Sequence, residues 1–310
     1  MEDHHSMRQW GRRSTLQTFA AALVLTIVLM LIFNYETELS IPISFSEDAR
    51  FVRDEQAQVP SSSLSLPFTP EVVYGSGSYK LDKPTGKVAG TESWSQTGQD
   101  KVVDDLLNGR KDGFFIEIGG YDGELHSNSL FFEKNRNWSG LLVEANPYTY
   151  KQMVARDRKC GMVHACISRD VESMDFKIGG GLTTAVQAAS ESHLARIDKD
   201  AKTYGKGSQW SGYGEVVKTR CTTFDVLLDM MSVQHVDYFS LDVEGAEMFV
   251  LESFDWARMD VDVFTIEIQE HREEINALMR KHGYHRLEPP RLNFDDVFVR
   301  DEQAQVPSEV

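Results

Sequence analysis

Short apolar runs and amphipathic segments alternate along the chain between residues 93 and 300. The first run, FFIEI at residues 114–118, is apolar and aromatic apart from one acid, and two glycines follow it directly. A run of this length is typical of a buried parallel strand. The next segment, SNSLFFEKNRN, predicts an amphipathic helix, GLLVEANP a second strand, and TYKQMVARDRK a second helix.

The alternation continues to the end of this region. MVHACIS predicts a third strand, and the later segments predict, in order, a helix at TTFDVLLDMM, a strand at VDYFSLDVEG, a helix at AEMFVLESF, a strand at VDVFTIEIQE and a helix at HREEINALMRKHG. GYHRLEP and FDDVFVR then predict a closing antiparallel pair. This pattern predicts an α/β fold with a mostly parallel sheet, which binds its ligand beyond the carboxyl ends of the strands.

Residues 16–33, LQTFAAALVLTIVLMLIF, carry no charge over 18 residues, enough to span a bilayer as a helix. A cleaved signal peptide is the alternative, but its apolar region is normally shorter and ends at small residues, whereas this run ends in LIFNYE. Three basic residues precede the run and two acids follow it: Arg8, Arg12, Arg13, Glu36 and Glu38. The positive-inside rule therefore predicts a cytoplasmic N-terminus.

These observations predict five parts of the chain. A cytoplasmic tail (1–15) precedes a transmembrane signal anchor (16–33), and a flexible stem (34–92) contains scattered Pro, Ser, Gly and Thr without a sustained period. The α/β domain (93–300) and a polar tail (301–310) follow. We expect a single-pass type II membrane protein of the endoplasmic reticulum or Golgi, with the domain in the lumen.

Charge and cysteine content narrow the range of partners. The formal net charge is -16, so the chain has no general means of neutralising phosphates, and nucleic acid is not expected as a partner. Cys160, Cys166 and Cys221 lack metal-finger spacing and allow at most one disulfide. We expect Cys160 to pair with Cys221, because Cys166 falls in a strand that is predicted to be buried.

The glycine turn after the first strand departs from the dinucleotide-binding pattern. A G-x-G-x-x-G motif that began at Gly119 would need glycine at position 121, where Tyr121 stands. Glu117 and Asp122 would repel a pyrophosphate but suit a cationic ligand, and S-adenosylmethionine is such a ligand. The alternative is an ordinary strand-to-turn connection without a ligand.

Further acids stand at the ends of predicted strands. Glu144 ends the second strand about 20 residues past the turn, where an acid that binds both ribose hydroxyls belongs. Asp242, Glu244 and Glu267 end two later strands and could flank one cleft as acceptor ligands or a general base. Glu244 could instead be a first-turn helix acid favoured by the helix dipole. The segments IGGGLTTAVQ and YGKGSQWSGYGE are predicted to form walls on the acceptor side.

Three segments together resemble the successive motifs of FkbM-type methyltransferase domains: SQTGQDKVVDDLL, GFFIEIGGYDGELHSNSLFFEKNRNWSGLLVEANP and SLDVEGAEMFVLESF. The resemblance covers nearly all of residues 93–300. It implies a class I, Rossmann-like methyltransferase fold that uses S-adenosylmethionine, usually to methylate a hydroxyl or carboxyl oxygen.

Matched position by position, the family's cofactor loop falls on Glu117, Gly119, Asp122 and Gly123, and its ribose acid on Glu144. Its D-x-E-G element contains Asp242 and Glu244. Asp242 is the expected base, with Glu244 and Glu267 beside it. We add Ser168, the last residue of the third predicted strand, to the cofactor-binding candidates.

The anchor, the stem and the SQTGQDK segment also resemble the Star-like branch of animal type II membrane proteins, whose namesake acts in export of membrane-bound growth-factor precursors. Two hypotheses follow. The first is a membrane-anchored methyltransferase that acts in the lumen on an oxygen atom of glycans, lipids or secreted molecules. The second is a non-catalytic trafficking protein that uses the fold to bind growth-factor precursor cargo.

Overall fold

The computed structural model describes residues 68–86, 92–204, 211–268, 270–288 and 292–301. The predicted cytoplasmic tail and the predicted anchor lie outside these ranges. Within the ranges, every helix is too short or too polar to cross a bilayer.

The strands of the described chain form two sheets. In chain order they are β1 (Val72–Tyr74), β2 (Phe114–Ile118), β3 (Ser139–Glu144), β4 (Gly161–His164), β5 (Cys166–Ile167), β6 (Ser173–Lys177), β7 (Thr184–Ala185), β8 (Val216–Thr222), β9 (Val236–Leu241), β10 (Val261–Glu267), β11 (Tyr284–Arg286) and β12 (Asp295–Arg300). The main sheet has the order β1-β4-β3-β2-β9-β10-β12-β11, and the smaller one has the order β5-β8-β6-β7.

Helices connect these strands. They are α1 (Gln99–Leu106), α2 (Leu130–Asn135), α3 (Pro147–Ala155), α4 (Glu191–Tyr204), α5 (Phe224–Met231), α6 (Glu247–Glu252) and α7 (Arg272–Lys281), and a short 3₁₀ helix spans Gly180–Leu182. The local sequence determines where some of these helices begin. Asn146 caps α3 by accepting a hydrogen bond from the backbone N–H of Tyr148 at 2.9 Å, with Pro147 in the first turn.

The main sheet confirms the predicted α/β fold with a mostly parallel sheet. Strands β4, β3, β2, β9 and β10 run parallel, and β12 lies antiparallel between β10 and β11. The chain winds outward from β2 to β4 and then returns to β9 on the other side of β2. The carboxyl ends of β2 and β9 therefore flank the point where the strand order reverses, which is where such sheets bind ligands.

Part of the predicted stem belongs to the sheet. Residues 72–74 form β1, which pairs antiparallel with β4 at the sheet edge. The predicted third strand, MVHACIS, also divides: its first half lies in β4, and its second half, β5, joins the smaller sheet. The predicted second helix ends early, at Ala155, because Asp157 has a left-handed backbone (φ 57°) that cannot continue a helix.

The smaller sheet corrects the predicted disulfide. Cys166 in β5 lies directly opposite Cys221 in β8, with Cα atoms 4.3 Å apart, and the two form the disulfide. The predicted Cys160–Cys221 pairing is therefore wrong. Cys160 is a free, buried cysteine that immediately precedes β4. The prediction failed because it treated burial of Cys166 as evidence against bonding, although both bonded cysteines are buried.

Two hydrophobic layers cover the faces of the main sheet. Alternate residues of β2 point to opposite sides, so Phe115 packs in one layer and Ile116 in the other. Phe239 and Phe264 pack in the same layer as Ile116, with tilted rings whose centroids are 5.1 Å apart. These layers hold the strand ends in register, and hence the side chains that follow them.

A buried arginine fixes the loop that follows β2. Arg158 has no exposed surface, and its guanidinium pairs with Glu133 of α2 at 2.9 Å. It also donates hydrogen bonds to the carbonyl oxygen of Gly123 at 2.8 Å and to the hydroxyl oxygens of Ser127 and Ser129 at 3.0 and 3.1 Å. The Arg158 guanidinium therefore holds the loop after β2 at three residues.

We expect the substitution Arg158→Met to lower the free energy of unfolding by about 3 to 5 kcal/mol, because it leaves Glu133 as an uncompensated buried charge. Urea denaturation of the full chain measures this. The matched control is Lys218→Met, which breaks an exposed ion pair with Asp175 and should cost no more than about 1 kcal/mol. Equal losses in the two variants would contradict the role assigned to Arg158.

Candidate functional site

A cavity of about 800 Å³ opens at the carboxyl ends of β2, β3, β9 and β10. The main sheet forms its floor, and the loop after β2 forms one side. The smaller sheet and the 3₁₀ helix contribute another wall, which includes Met174, Phe176 and residues 179–183. The cavity lies at the switch point of the sheet, so the fold positions it as a ligand site.

The glycine turn after β2 lies very close to the backbone at the ends of β3 and β9. Gly119 has a left-handed backbone (φ 86°), and a Cβ atom there would lie 1.7 Å from the carbonyl oxygen of Asp242. The N–H groups of Gly119 and Gly120 both donate to the carbonyl oxygen of Val143, at 3.0 and 3.1 Å. Only glycine at position 119 allows the ends of β2 and β9 to approach in this way.

Glu117 lines the cavity but is largely committed to the loop. Its carboxylate accepts hydrogen bonds from the backbone N–H of Asn128 at 2.9 Å and from the hydroxyls of Ser127 and Ser129. Burial raises the pKa of Glu117, while the nearby Arg158 guanidinium opposes the rise. Its main effect is therefore to shape the cavity wall.

Asp122 and Gly123 lie behind the cavity rather than in its lining. Asp122 accepts hydrogen bonds from the backbone N–H groups of Glu124 and Leu125, at 2.9 and 2.7 Å, and pairs with Arg156 at 2.7 Å. Gly123 has a left-handed backbone (φ 77°). Both residues stabilise the loop, and neither of them lines the cavity.

Glu144 stands at the end of β3 and faces the cavity beside the glycine turn. One carboxylate oxygen accepts a hydrogen bond from the backbone N–H of Tyr121 at 2.8 Å, and the other accepts one from Asn146 at 2.7 Å. Burial raises the pKa of Glu144 to about 7. Hydrogen bonds from the Thr149 hydroxyl and from the backbone N–H of Ala145 also reach this carboxylate and oppose the rise in pKa.

Ser168 is not part of the cavity lining. It follows β5, and its hydroxyl oxygen accepts hydrogen bonds from the backbone N–H groups of Asp170 and Val171, at 3.1 and 3.3 Å. The structure thus places this predicted cofactor-binding residue in a turn beside the smaller sheet.

Asp242, Glu244 and Glu267 come together in the cavity, as the strand-end positions predict. One carboxylate oxygen from each residue lies within 4.8 Å of those of the other two. We call these residues the acidic triad. Burial, followed by the charges of Glu267 and Glu244, raises the pKa of Asp242 well above its ordinary value. The triad suits a positively charged group or a proton.

Sequence reasoning missed residues on the outer rim of the cavity. Leu125 and Phe294 are 40% and 54% exposed, which is unusual for large apolar side chains that line a site. His126 and Arg196 also line the cavity. These residues come from loops and from α4, outside the predicted strand ends. The predicted wall segment IGGGLTTAVQ does contribute, through residues 179–183 and 185.

The fold and the site define an α/β protein with a Rossmann-like, mostly parallel sheet and a ligand cavity at its switch point. The family model of the methyltransferase FkbM domain matches residues 117–286, more than half of the chain. The protein therefore belongs to the FkbM methyltransferase family. The match includes every predicted site residue.

Solved structures of methyltransferases are also similar to this chain. Precorrin-6y C5,15-methyltransferase from Geobacter metallireducens GS-15 is 11% identical, with a TM-score of 0.34 over 65% of this chain and 87% of that one. A protein from Pyrococcus horikoshii, assigned as an RNA methyltransferase, is 10% identical, with a TM-score of 0.32 over 67% and 82% of the two chains. No curated protein matches the sequence.

The buried acids around the cavity make the free energy of unfolding depend on pH. The contribution of one of them, Glu247, can be tested by substitution. Glu247 is buried, and one of its oxygens accepts hydrogen bonds from the backbone N–H groups of Val243 and Gly245 at 3.1 Å each. Burial raises the pKa of Glu247 from 4.5 to about 7. The folded state therefore keeps a proton that the unfolded chain releases, and stability falls as pH rises through this window.

We expect Glu247→Gln, which keeps the accepting oxygen but cannot ionise, to remove this part of the pH dependence. The variant should lose less stability than the wild type between about pH 5 and about pH 8, by up to about 3 kcal/mol. Urea denaturation across this range measures the difference. Glu252→Gln, an exposed charge loss on the same helix, is the control. Parallel pH profiles for wild type and Glu247→Gln would contradict the expectation.

Proposed function

We propose that the protein is an S-adenosylmethionine-dependent methyltransferase that methylates an oxygen atom of a glycan, lipid or secreted molecule. We further propose that residues 16–33 anchor it in the membrane of the endoplasmic reticulum or Golgi, with the catalytic domain in the lumen. The observation that carries the cofactor assignment is the buried carboxylate of Glu144 beside the Gly119–Gly120 turn, inside the main cavity.

The cavity fits this cofactor in size and charge. A volume of about 800 Å³ lies within the range of about 300 to 1,000 Å³ that is usual for small-molecule sites. Glu117, Glu144 and the acidic triad give the lining a negative character. The sulfonium and ammonium groups of S-adenosylmethionine are positive, so burial of these acids becomes less unfavourable when such a ligand binds.

The positions of the side chains suggest how the cofactor lies. Glu144 has two oxygens already oriented by backbone N–H groups, so it is prepared to accept both hydroxyls of a ribose. The close glycine turn leaves space for the adjacent part of the ligand over the end of β2. The residues at the end of β9, where the acidic triad begins, would hold the positively charged methionine end.

The bound cofactor would supply an electrophilic methyl group, and the protein residues would position the acceptor and take its proton. Asp242 is the proposed base. Its raised pKa means that the proton is readily held at the triad in the absence of a cation. A positive charge nearby lowers that pKa again, which favours a carboxylate able to accept the proton of an acceptor hydroxyl.

We expect two substitutions in this cavity to impair different steps, one the binding of the cofactor and the other methyl transfer. Glu144→Ala removes hydrogen bonds to a charged group worth about 1.5 to 3 kcal/mol, so affinity for S-adenosylmethionine should fall roughly ten- to a hundredfold. Asp242→Asn is nearly isosteric and should leave that affinity largely unchanged while reducing methyl transfer. Calorimetry of the purified full chain measures both affinities.

Thermal melting of each variant checks that it is folded. If the folded wild-type protein shows no affinity for S-adenosylmethionine, the methyltransferase proposal fails for this chain. A binding role for the fold, such as cargo export, would then be the better hypothesis. If Glu144→Ala binds as tightly as the wild type, the ribose assignment is wrong even if the cofactor binds.

The proposed anchor predicts a topology that can be measured directly. In intact microsomes, whose outer face is the cytoplasmic one, protease should remove a tag at the N-terminus and leave a C-terminal tag protected. Detergent should expose both tags. Protection of the N-terminal tag in intact microsomes would reverse the proposed orientation, and cleavage of both tags would exclude a lumenal domain.

A further inference from the structure

The sequence contains a single tripeptide that can accept an N-linked glycan. Asn137-Trp138-Ser139 fits the Asn-X-Ser/Thr sequon, in which X is any residue except proline. Every other asparagine of the chain lacks a serine or threonine two positions later. Since so short a motif also occurs by chance, the place of its residues in the fold decides whether a glycan fits.

Asn137 lies in a turn between α2 and β3. The residue is exposed, and its backbone is left-handed (φ 58°), a conformation that asparagine tolerates better than most residues. Hydrogen bonds fix the chain that follows it. The backbone N–H of Trp138 donates to the carbonyl oxygen of Phe132 at 3.2 Å, and that of Ser139 donates to the carbonyl oxygen of Gly113 at 3.0 Å. A sugar at position 137 would therefore extend into solvent from a fixed point.

The hydrogen bonds of the Asn137 side chain are compatible with a glycan. Its amide nitrogen donates to a carboxylate oxygen of Asp112 at 2.5 Å, and its amide oxygen accepts a hydrogen bond from the ammonium group of Lys159 at 3.3 Å. A primary amide carries two N–H hydrogens, and glycosylation replaces one of them. The linked amide keeps the other hydrogen for Asp112 and its oxygen for Lys159, so both bonds can persist.

The turn is remote from the cavity. Strand β3 runs from Ser139 to Glu144, and Glu144 lines the cavity at the carboxyl end of the strand. The strand has six residues, so at about 3.3 Å per residue its two ends lie about 16 Å apart. Asn137 precedes the amino end, and a glycan there leaves the cavity open to its ligands.

The disulfide between Cys166 and Cys221 is an independent observation that bears on the compartment. Disulfides form and persist in oxidising compartments such as the lumen of the endoplasmic reticulum, and they are rare in the cytosol. Sequons are glycosylated in secreted proteins, which pass through the same lumen. The disulfide and the exposed sequon lie in different parts of the fold, and both favour the same compartment.

The packing of Trp138 determines when the modification can occur. Trp138 is only 1% exposed, and its indole N–H donates to the carbonyl oxygen of Arg110 at 2.8 Å. In the folded protein the middle of the sequon is therefore held in the core, and the tripeptide cannot leave the surface to enter the site of an enzyme. Transfer of a glycan has to precede folding of this turn.

We propose that Asn137 carries an N-linked glycan, attached while the chain passes into the lumen. This inference rests on the lumenal location within the proposed function, but not on the cofactor or the reaction. Transfer forms a bond between the amide nitrogen of Asn137 and C1 of the sugar, and it breaks the bond between that carbon and the diphosphate of a lipid-linked oligosaccharide. The amide proton passes to a base of the transferring enzyme, and the lipid diphosphate leaves.

The test is synthesis of the full chain in the presence of microsomes, followed by denaturing electrophoresis with and without peptide N-glycosidase. We expect digestion to produce a single increase in mobility, since the chain has one sequon. The glycosidase leaves aspartate at the modified position, so mass spectrometry of the peptide identifies the site. Asn137→Gln and Ser139→Ala should each abolish the shift, because the first removes the acceptor nitrogen and the second removes the hydroxyl of the sequon.

Asn108→Gln is the matched control and should leave the shift unchanged. Asn108 is also exposed, with a left-handed backbone (φ 52°), but it is followed by Gly109 and Arg110 and has no sequon. The chains are denatured before electrophoresis, so a folding defect in a variant does not alter the readout.

Protection of a C-terminal tag from protease, measured on the same microsomes, shows on which side of the membrane the domain lies. A protected domain without the shift would overturn the inference and leave the lumenal location intact. A shift that survives both sequon substitutions would also overturn it. An accessible, unmodified domain would overturn it together with the lumenal part of the proposed function. Titration with S-adenosylmethionine tests the cofactor assignment separately from all of these results.

Discussion

The buried guanidinium of Arg158 is the interaction on which the site depends. It compensates Glu133, holds the loop after β2 through Ser127 and Ser129, and lies near Glu117. Glu117 and Glu133 can both be buried in this region because Arg158 and the hydrogen-bond donors of the loop stabilise them together. Without that compensation the loop would have no fixed path, and the cavity wall that it forms would not be defined.

On the cavity side, the acids face the opposite condition. Burial raises the pKa of Glu144 to about 7, and burial together with the charges of Glu267 and Glu244 raises the pKa of Asp242 well above its ordinary value. The acids that build the loop thus lie beside a buried guanidinium, whereas the carboxyls of Glu144 and Asp242 in the cavity keep their protons to a higher pH. A positively charged ligand in the cavity would favour the ionised form of both carboxyls.

The sequence predicted the main sheet well, because buried strands such as β2 and β9 leave an unmistakable apolar run followed by glycine or acids. It also predicted that Asp242, Glu244 and Glu267 flank one cleft, since the carboxyl ends of parallel strands share an edge. Arg158 could not be predicted, because an arginine in a polar segment has the pattern of a surface residue. The smaller sheet was missed because its strands have no apolar run of their own. Some of them also pair with strands that are far away in the sequence, as β5 does with β8. The disulfide pairing depends on that sheet and was missed with it.

The Cys166–Cys221 disulfide joins residues that are 55 positions apart. It links the two ends of a long segment, which we call the excursion, that leaves the main sheet after β4 and returns to it before β9. Most of the wall formed by β6, β7 and the 3₁₀ helix lies between the two cysteines. Because both ends of the excursion are covalently held together, insertions or substitutions within it need not disturb the strands that carry Glu144 and the acidic triad. This wall of the cavity can therefore vary in sequence as a separate module, while the strand ends that carry Glu144 and the acidic triad stay the same.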